Sequence, residues 1–262
     1  MTRKEVVNGF YAQYDEAGRL ESDKQGEVEY IVTMNYIHRY LTLGMKVAEI
    51  GAGTGRYSVA LAKEGYDVTA VEYTRCNYEQ LVANAKGIDN IRCFQGDAVH
   101  LGEISDDSVD VTLLFGPMYH LYEEEEQLAA LREAQRITKP GGTILIAYLS
   151  IYAIMYTNYL KNNFAHGFEE NFTEDCGFKH FPEQLFTGFT MEEFEKLVGK
   201  TTMTIEKSVA VDGMLELAQH RADFGLEGED FQKFLKYHLH FCEQRELLGL
   251  SSHILMICKN TK

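Results

Sequence analysis

Apolar and polar positions change period repeatedly along the first 150 residues. Residues 47–50, 67–71, 90–95, 109–115 and 143–149 are short apolar runs bounded by turn residues and read as strands. Between them, residues 57–63, 77–86 and 123–137 read as helices, the last with Leu128, Leu131, Ala134 and Ile137 on one face. Upstream, residues 27–43 space Val28, Ile31, Val32, Tyr36, Ile37 and Tyr40 near the helical period. Strands alternating with helices predict an α/β chain with a parallel sheet. Downstream the pattern is looser. Residues 152–164 are aromatic and helical in character, and 171–189 are irregular. Thr190-Met191-Glu192-Glu193 has the capping-box form and opens a helix to Val198. Residues 203–210 and 251–259 read as the sixth and seventh strands, with a largely helical insertion at 211–250 between them.

The candidate chemistry sits at the first strand's end, in Glu49-Ile50-Gly51-Ala52-Gly53-Thr54-Gly55. Glycine suits a loop that turns tightly and approaches a ligand closely, and the helix behind it points free N–H groups forward. Glu72 closes the second strand, where an acidic side chain can accept from ribose hydroxyls. The spacing departs from the dinucleotide fingerprint, because Arg56 stands where the third glycine of G-x-G-x-x-G belongs.

With Glu49 before the loop and Glu72 after it, E-I-G-A-G-T-G resembles the first motif of the class I S-adenosylmethionine-dependent methyltransferases. The segment R-I-T-K-P-G-G-T-I-L-I at 136–146 resembles the same family at its fifth strand. The resemblance implies a Rossmann-like, seven-stranded, mostly parallel, doubly wound sheet, with the last strand antiparallel and helical lid insertions. It implies a single domain, with a lid segment at 1–45, a donor-binding core at 46–150, and cover insertions at 151–189 and 211–250. S-adenosylmethionine would be the donor and S-adenosylhomocysteine the product. Glu49, Gly51, Ala52, Gly53, Gly55, Glu72, Tyr73 and Phe115 would surround it, with Asp97 and Ala98 at the adenine. Tyr11, Tyr14 and Arg19 in the N-terminal segment, and His253 at the seventh strand, are candidate acceptor contacts; exposed surface tyrosines are the alternative for the first two.

Gly116-Pro117-Met118-Tyr119-His120 follows the fourth strand, where an open α/β sheet presents groups to its ligand. Phe115 and Gly116 replace the polar acceptor of the N/D-P-P-Y/F motif found in enzymes that methylate nucleic-acid amines, which points to a small-molecule acceptor. His120 is a candidate general base, since an unperturbed imidazole titrates near pH 6.5 (about). Tyr119 could orient the acceptor. Alternatively His120 caps the acidic helix through Glu123 or Glu124, and an acceptor with a free lone pair needs no base.

Composition narrows the partners. Net charge is −15 over 262 residues, which repels phosphate backbones and disfavours nucleic acid. No apolar run reaches a membrane span, and the polar start shows no signal peptide. The 5 cysteines form no C-x-x-C pair, so a reducing cytoplasm is the expected setting. His238 and His240 are two apart and cannot share a helix face, so no metal site is expected. The reading is methyl transfer to a small molecule. The alternatives are a non-catalytic protein that binds the donor, a nicotinamide-dependent oxidoreductase, and a nucleic-acid methyltransferase.

Overall fold

The structure, a computed structural model, describes every residue except Lys161. Two helices, α1 (Arg3–Tyr11) and α2 (Lys24–Tyr40), precede β1 (Lys46–Ile50). Then α3 (Arg56–Lys63), β2 (Asp67–Glu72), α4 (Arg75–Asn84), β3 (Ile91–Gln95), β4 (Val109–Leu114), α5 (Glu124–Ile137) and β5 (Thr138–Ser150) follow. The remainder is α6 (Ile151–Tyr159), α7 (Phe164–Asn171), β6 (Gly188–Phe189), α8 (Met191–Val198) and β7 (Thr204–Ala210), then α9 (Leu215–Ala218), α10 (Gly228–Phe241), α11 (Arg245–Leu248) and β8 (His253–Lys259).

The strands order as β3-β2-β1-β4-β5-β8-β7. Pairs through β5 are parallel, whereas β8 runs antiparallel to both β5 and β7. This is the expected doubly wound sheet with its antiparallel final strand. Strands β1, β2 and β4 bury nearly every residue, as strands covered on both faces must. Helices α3 and α4 pack on β2 and β3, and α5 on β4 and β5.

Three details depart from the pattern reading. An eighth strand, β6, pairs with Leu149 and Ser150 at the end of β5, beyond the last residue paired with β4. Two residues carry too little periodicity to announce a strand. Strand β5 begins at Thr138 rather than 143, because Lys139-Pro140-Gly141-Gly142 lies within a register shift against β4. Proline, lacking an N–H, is tolerated in a sheet at such a bulge. Finally, the N-terminal segment opens with a helix, α1, that was not expected there, and Thr2 and Glu5 close a capping box around its first turn.

Register places the functional end. Ile50 pairs with Val71 and with Leu114, so β1, β2 and β4 finish together. The loops that leave their carboxyl ends border one crevice, the position where open α/β sheets hold ligands.

Candidate active site

The glycine loop is tied to both neighbouring strands. Gly51 and Ala52 donate N–H bonds to the Val71 carbonyl (2.8 and 3.0 Å), and Phe115 donates to the Ile50 carbonyl (3.0 Å). Gly51, Gly53 and Gly55 all have positive φ (82°, 55° and 89°), the left-handed region that glycine enters freely. The loop opens onto a cavity of about 480 Å³. Of the residues selected from the sequence, all but Gly55 line it. Gly55 instead caps α3, and a Cβ there would meet the Leu81 side chain at 2.5 Å, so its role is packing.

Glu72 links β2 to the loop. One carboxylate oxygen accepts from the Gly53 N–H (2.9 Å); the other accepts from the Thr74 N–H and hydroxyl (2.8 and 2.7 Å). A carboxylate has about four acceptor sites, so one remains. Burial nevertheless pushes its pKa up, against the pull of Thr74 and Gly53. Glu49 lies deeper, accepting from the Ser58 hydroxyl, and burial raises it to about 8. At neutral pH it is mostly protonated, so it acts as a neutral hydrogen-bonding group in the wall of the loop.

The N-terminal segment closes over this crevice with side chains that the sequence did not single out. Arg3 pairs with Asp97 at 2.7 Å and lies over the Tyr73 ring. A Cβ on Gly53 would touch the Glu16 side chain at 3.4 Å. Glu21 pairs with Arg56 at 2.5 Å. Asp97, expected at an adenine amine, is thus engaged by Arg3 in this conformation. Tyr14 stacks on Phe10 at 4.9 Å and stays 41% exposed, so it borders the cavity instead of closing it.

His120 is buried with both ring nitrogens engaged. Its Nε2 lies 3.1 Å from the Tyr11 hydroxyl and its Nδ1 2.8 Å from the Leu185 carbonyl. The carbonyl can only accept, so Nδ1 carries the proton and Nε2 accepts from Tyr11. Burial drives the pKa down to about 4. The ring therefore does not titrate near neutrality as expected. It contacts Tyr11 and Leu185, and no hydrogen bond joins it to Glu123 or Glu124 among the described residues.

A second histidine is arranged in the opposite way. Arg19 clamps Glu29 through two bonds of 2.7 and 2.9 Å. Asp212, fully buried, accepts from His253 Nδ1 (2.8 Å), Gln25 (2.7 Å), the Ser251 hydroxyl (2.6 Å) and the N–H groups of Ser252 and His253. The His253 ring stands 3.7 Å from Glu29 and faces Tyr119 edge-on. Burial disfavours its charge, but Glu29 and Asp212 together outweigh that and lift its pKa to about 9. Ligand atoms of Glu29, Asp212 and His253 lie within 4.8 Å of one another. Arg19 already supplies a second positive charge there, so Arg19 and His253 offset Glu29 and Asp212, and Glu16 adds a third carboxylate beside Arg19 at 3.3 Å. The signal for Glu29 was readable: it sits on the buried face of α2 with Val32, Thr33 and Tyr36. Asp212 carried no such signal.

This cluster makes stability depend on pH. A raised imidazole pKa contributes fully below its unfolded value of about 6.5 and is lost as pH rises through about 9. We expect urea-unfolding stability to fall across that alkaline window by about 2–3 kcal/mol more in the wild type than in His253→Asn. Equal slopes in the two proteins would show that His253 is neutral in the fold.

The comparisons agree with this geometry. Residues 47–142 match the family described as "Methyltransferase domain". That stretch, from β1 through the first residues of β5, therefore carries a methyltransferase domain. Among curated methyltransferases the chain is 31% identical over 127 residues to the demethylmenaquinone methyltransferase of Staphylococcus aureus, covering 45% of this chain and 51% of that one. The chain covers 51%, 66% and 46% of the length of the first curated relatives it matches. Among solved structures, Haemonchus contortus phosphoethanolamine N-methyltransferase 1, in complex with phosphoethanolamine and S-adenosylhomocysteine, has TM-score 0.63 at 19% identity, covering 99% of this chain and 50% of that chain. A Haloferax volcanii putative methyltransferase, in complex with the Trm112 methyltransferase activator, has TM-score 0.60 at 16% identity and covers both chains fully (100% and 100%). At these identities the two structures establish a shared fold alone. No helix among the described residues is long and apolar enough to cross a membrane.

Proposed function

We propose that this protein transfers a methyl group from S-adenosylmethionine to a small-molecule acceptor. The observation that carries this reading is the join between the glycine loop and Glu72 at the open end of β1 and β2. The donor-binding residues present fit that ligand. The cavity lies within the range of small-ligand pockets, about 300–1,000 Å³. Glu72 retains an acceptor site for ribose, and Gly53 offers bare backbone to the methionine end. Asp97 is set for the adenine amine once Arg3 shifts. Ala52, Tyr73, Ala98 and Phe115 line the rest, and Glu49 supports the loop from behind.

When bound, the donor supplies a methyl already activated on a sulfonium. The protein's part is then mainly proximity and alignment. Tyr119 and His120 lie after β4, where the acceptor must approach. His120, neutral and held by Leu185, fixes the Tyr11 hydroxyl and so joins the N-terminal segment to this wall. The test is transfer of labelled methyl from S-adenosylmethionine to a panel of hydroxyaromatic and amine acceptors. Label in an acceptor supports the reading. Donor binding without turnover across the panel would favour a binding protein.

We further propose that the cover is built from the N-terminal segment and 151–189, more than from 211–250. Ile154, Asn158 and Phe186 line the cavity, whereas 211–250 contributes only Val211 and Glu216 among the described residues. Beyond α10, Glu243 accepts from the Tyr36 hydroxyl (2.6 Å), and within α10 Phe231 lies under Lys24, so this insertion braces α2. Adding S-adenosylhomocysteine should slow hydrogen exchange in 3–23 and 151–189 and leave 228–241 nearly unchanged. Slowing confined to 228–241 would reverse the assignment.

A further inference from the structure

We propose that His253 is the acceptor-binding donor of this site, presenting an Nε2–H to an anionic oxygen of the acceptor. This rests on the methyl-transfer reading and names the acceptor's chemistry within it. The two histidines of the cavity have opposite roles. His120 spends both nitrogens on protein partners. His253 spends only Nδ1, which lies 2.8 Å from Asp212 and 3.3 Å from the Gln25 amide nitrogen, and its Nε2 has no hydrogen-bond partner among the described residues. Its side chain is 15% exposed, and it lines the cavity beside Tyr119.

The surroundings decide whether that nitrogen donates or accepts. From α2, Gln25 and Glu29 face the ring; from the N-terminal segment, Arg19 and Glu16; from the loop after β7, Asp212; and from the loop after β4, Tyr119. Asp212 is held charged by its donors despite burial, and Glu29 by Arg19 and His253. A neutral His253 would leave Arg19 alone against the buried Glu29 and Asp212, with Glu16 also paired to it at 3.3 Å. An imidazolium supplies the second cation, and an imidazolium has only donors. Its free N–H suits a full or partial negative charge and repels an ammonium group. The acceptor therefore carries an acidic oxygen, a phenolate, enolate or carboxylate, near the atom to be methylated. A phenol or enol bound against this imidazolium has its ionisation shifted to lower pH and releases its proton to water, so no side chain has to take that proton. This accords with a His120 that does not titrate near neutrality.

The test uses the full-length protein saturated with S-adenosylhomocysteine. 4-Nitrophenol is the probe, because its yellow anion is read directly by absorbance; benzoate and benzylamine are competitors. Wild type should bind the nitrophenolate and shift its ionisation to lower pH, and benzylamine should not compete. Benzoate competition would extend the site to carboxylates, and its absence would restrict it to phenolates and enolates; either result supports an oxyanion. His253→Asn keeps an amide N–H where Nδ1 meets Asp212 but removes the cavity-facing donor. It should lose at least about tenfold in nitrophenolate affinity, as loss of a charge-assisted bond implies, with S-adenosylhomocysteine affinity within about twofold. His253→Gln places an N–H near the Nε2 position and should recover part of the loss. The inference is overturned if wild type takes up no nitrophenolate, if His253→Asn binds it equally, or if benzylamine binds in its place. If S-adenosylhomocysteine fails to bind wild type, the donor reading itself has failed. Retained donor affinity in both variants shows they are folded.

Discussion

Glu72→Ala is expected to weaken S-adenosylhomocysteine binding at least about tenfold while leaving the fold intact. Two losses combine. The ribose loses a charged acceptor, and hydrogen bonds to charged groups contribute about 1.5–3 kcal/mol each. The glycine loop also loses its anchor, because the same carboxylate accepts the Gly53 N–H at 2.9 Å. The fold should survive, since Gly51 and Ala52 remain bonded to the Val71 backbone. Glu72→Gln should be little better. Three donors already converge on the carboxylate, and an amide turns one of its two oxygens into a group that faces a donor. Calorimetry with S-adenosylhomocysteine, alongside circular dichroism, checks this. Unchanged affinity in Glu72→Ala would remove the ribose assignment.

The largest stability effect should come from Gly51, and it should differ in kind from that of Gly53. A Cβ on Gly51 would lie 2.1 Å from the Phe115 carbonyl oxygen and 2.5 Å from Pro117 Cδ. Those atoms belong to the β4 end and to a ring on its backbone, so relief requires moving the strand end itself. Together with the left-handed φ, Gly51→Ala should cost about 3 kcal/mol or more, a fall in Tm of roughly 6–12 °C. Gly53→Ala meets only the Glu16 side chain, at ordinary contact distance of 3.4 Å. Its cost should be about 1 kcal/mol, from backbone conformation. Yet its methyl points toward the space between the loop and Glu16, so donor affinity should drop sharply in a protein of near-native Tm. Thermal melts and calorimetry on both variants separate the two effects. Gly53→Ala with normal affinity would mean that the loop is only a turn.

The chain's core was legible because two periods and one loop carry it. Strands β1, β2 and β4 are apolar runs that the parallel sheet buries, and Gly51, Gly53, Glu72 and Asp97 lie at or just after strand ends whose register brings them together. Thr190 and Glu193 marked a helix start, and both sides of the capping box form. Less legible was whatever depends on long-range pairing. Nothing local tells that Asp212 will meet His253, or that Arg3 will reach Asp97 across 94 positions. His120 was visible as chemistry but not in its state. Its depressed pKa comes from burial in the folded cavity, and the residues that close over it lie far away in sequence. The 211–250 insertion read as a cover from topology alone. Its helix α10 is amphipathic, with Phe231, Leu235 and His238 buried, and the periodicity does not say which neighbour that face meets.

The most direct test of the account is a calorimetric titration of the wild-type protein with S-adenosylhomocysteine, paired with one using reduced nicotinamide dinucleotide. The account predicts saturable binding of S-adenosylhomocysteine at one site per chain, abolished or weakened at least about tenfold by Glu72→Ala, and no heat from the dinucleotide. Binding of the dinucleotide with none of S-adenosylhomocysteine, or binding that Glu72→Ala leaves untouched, would contradict it.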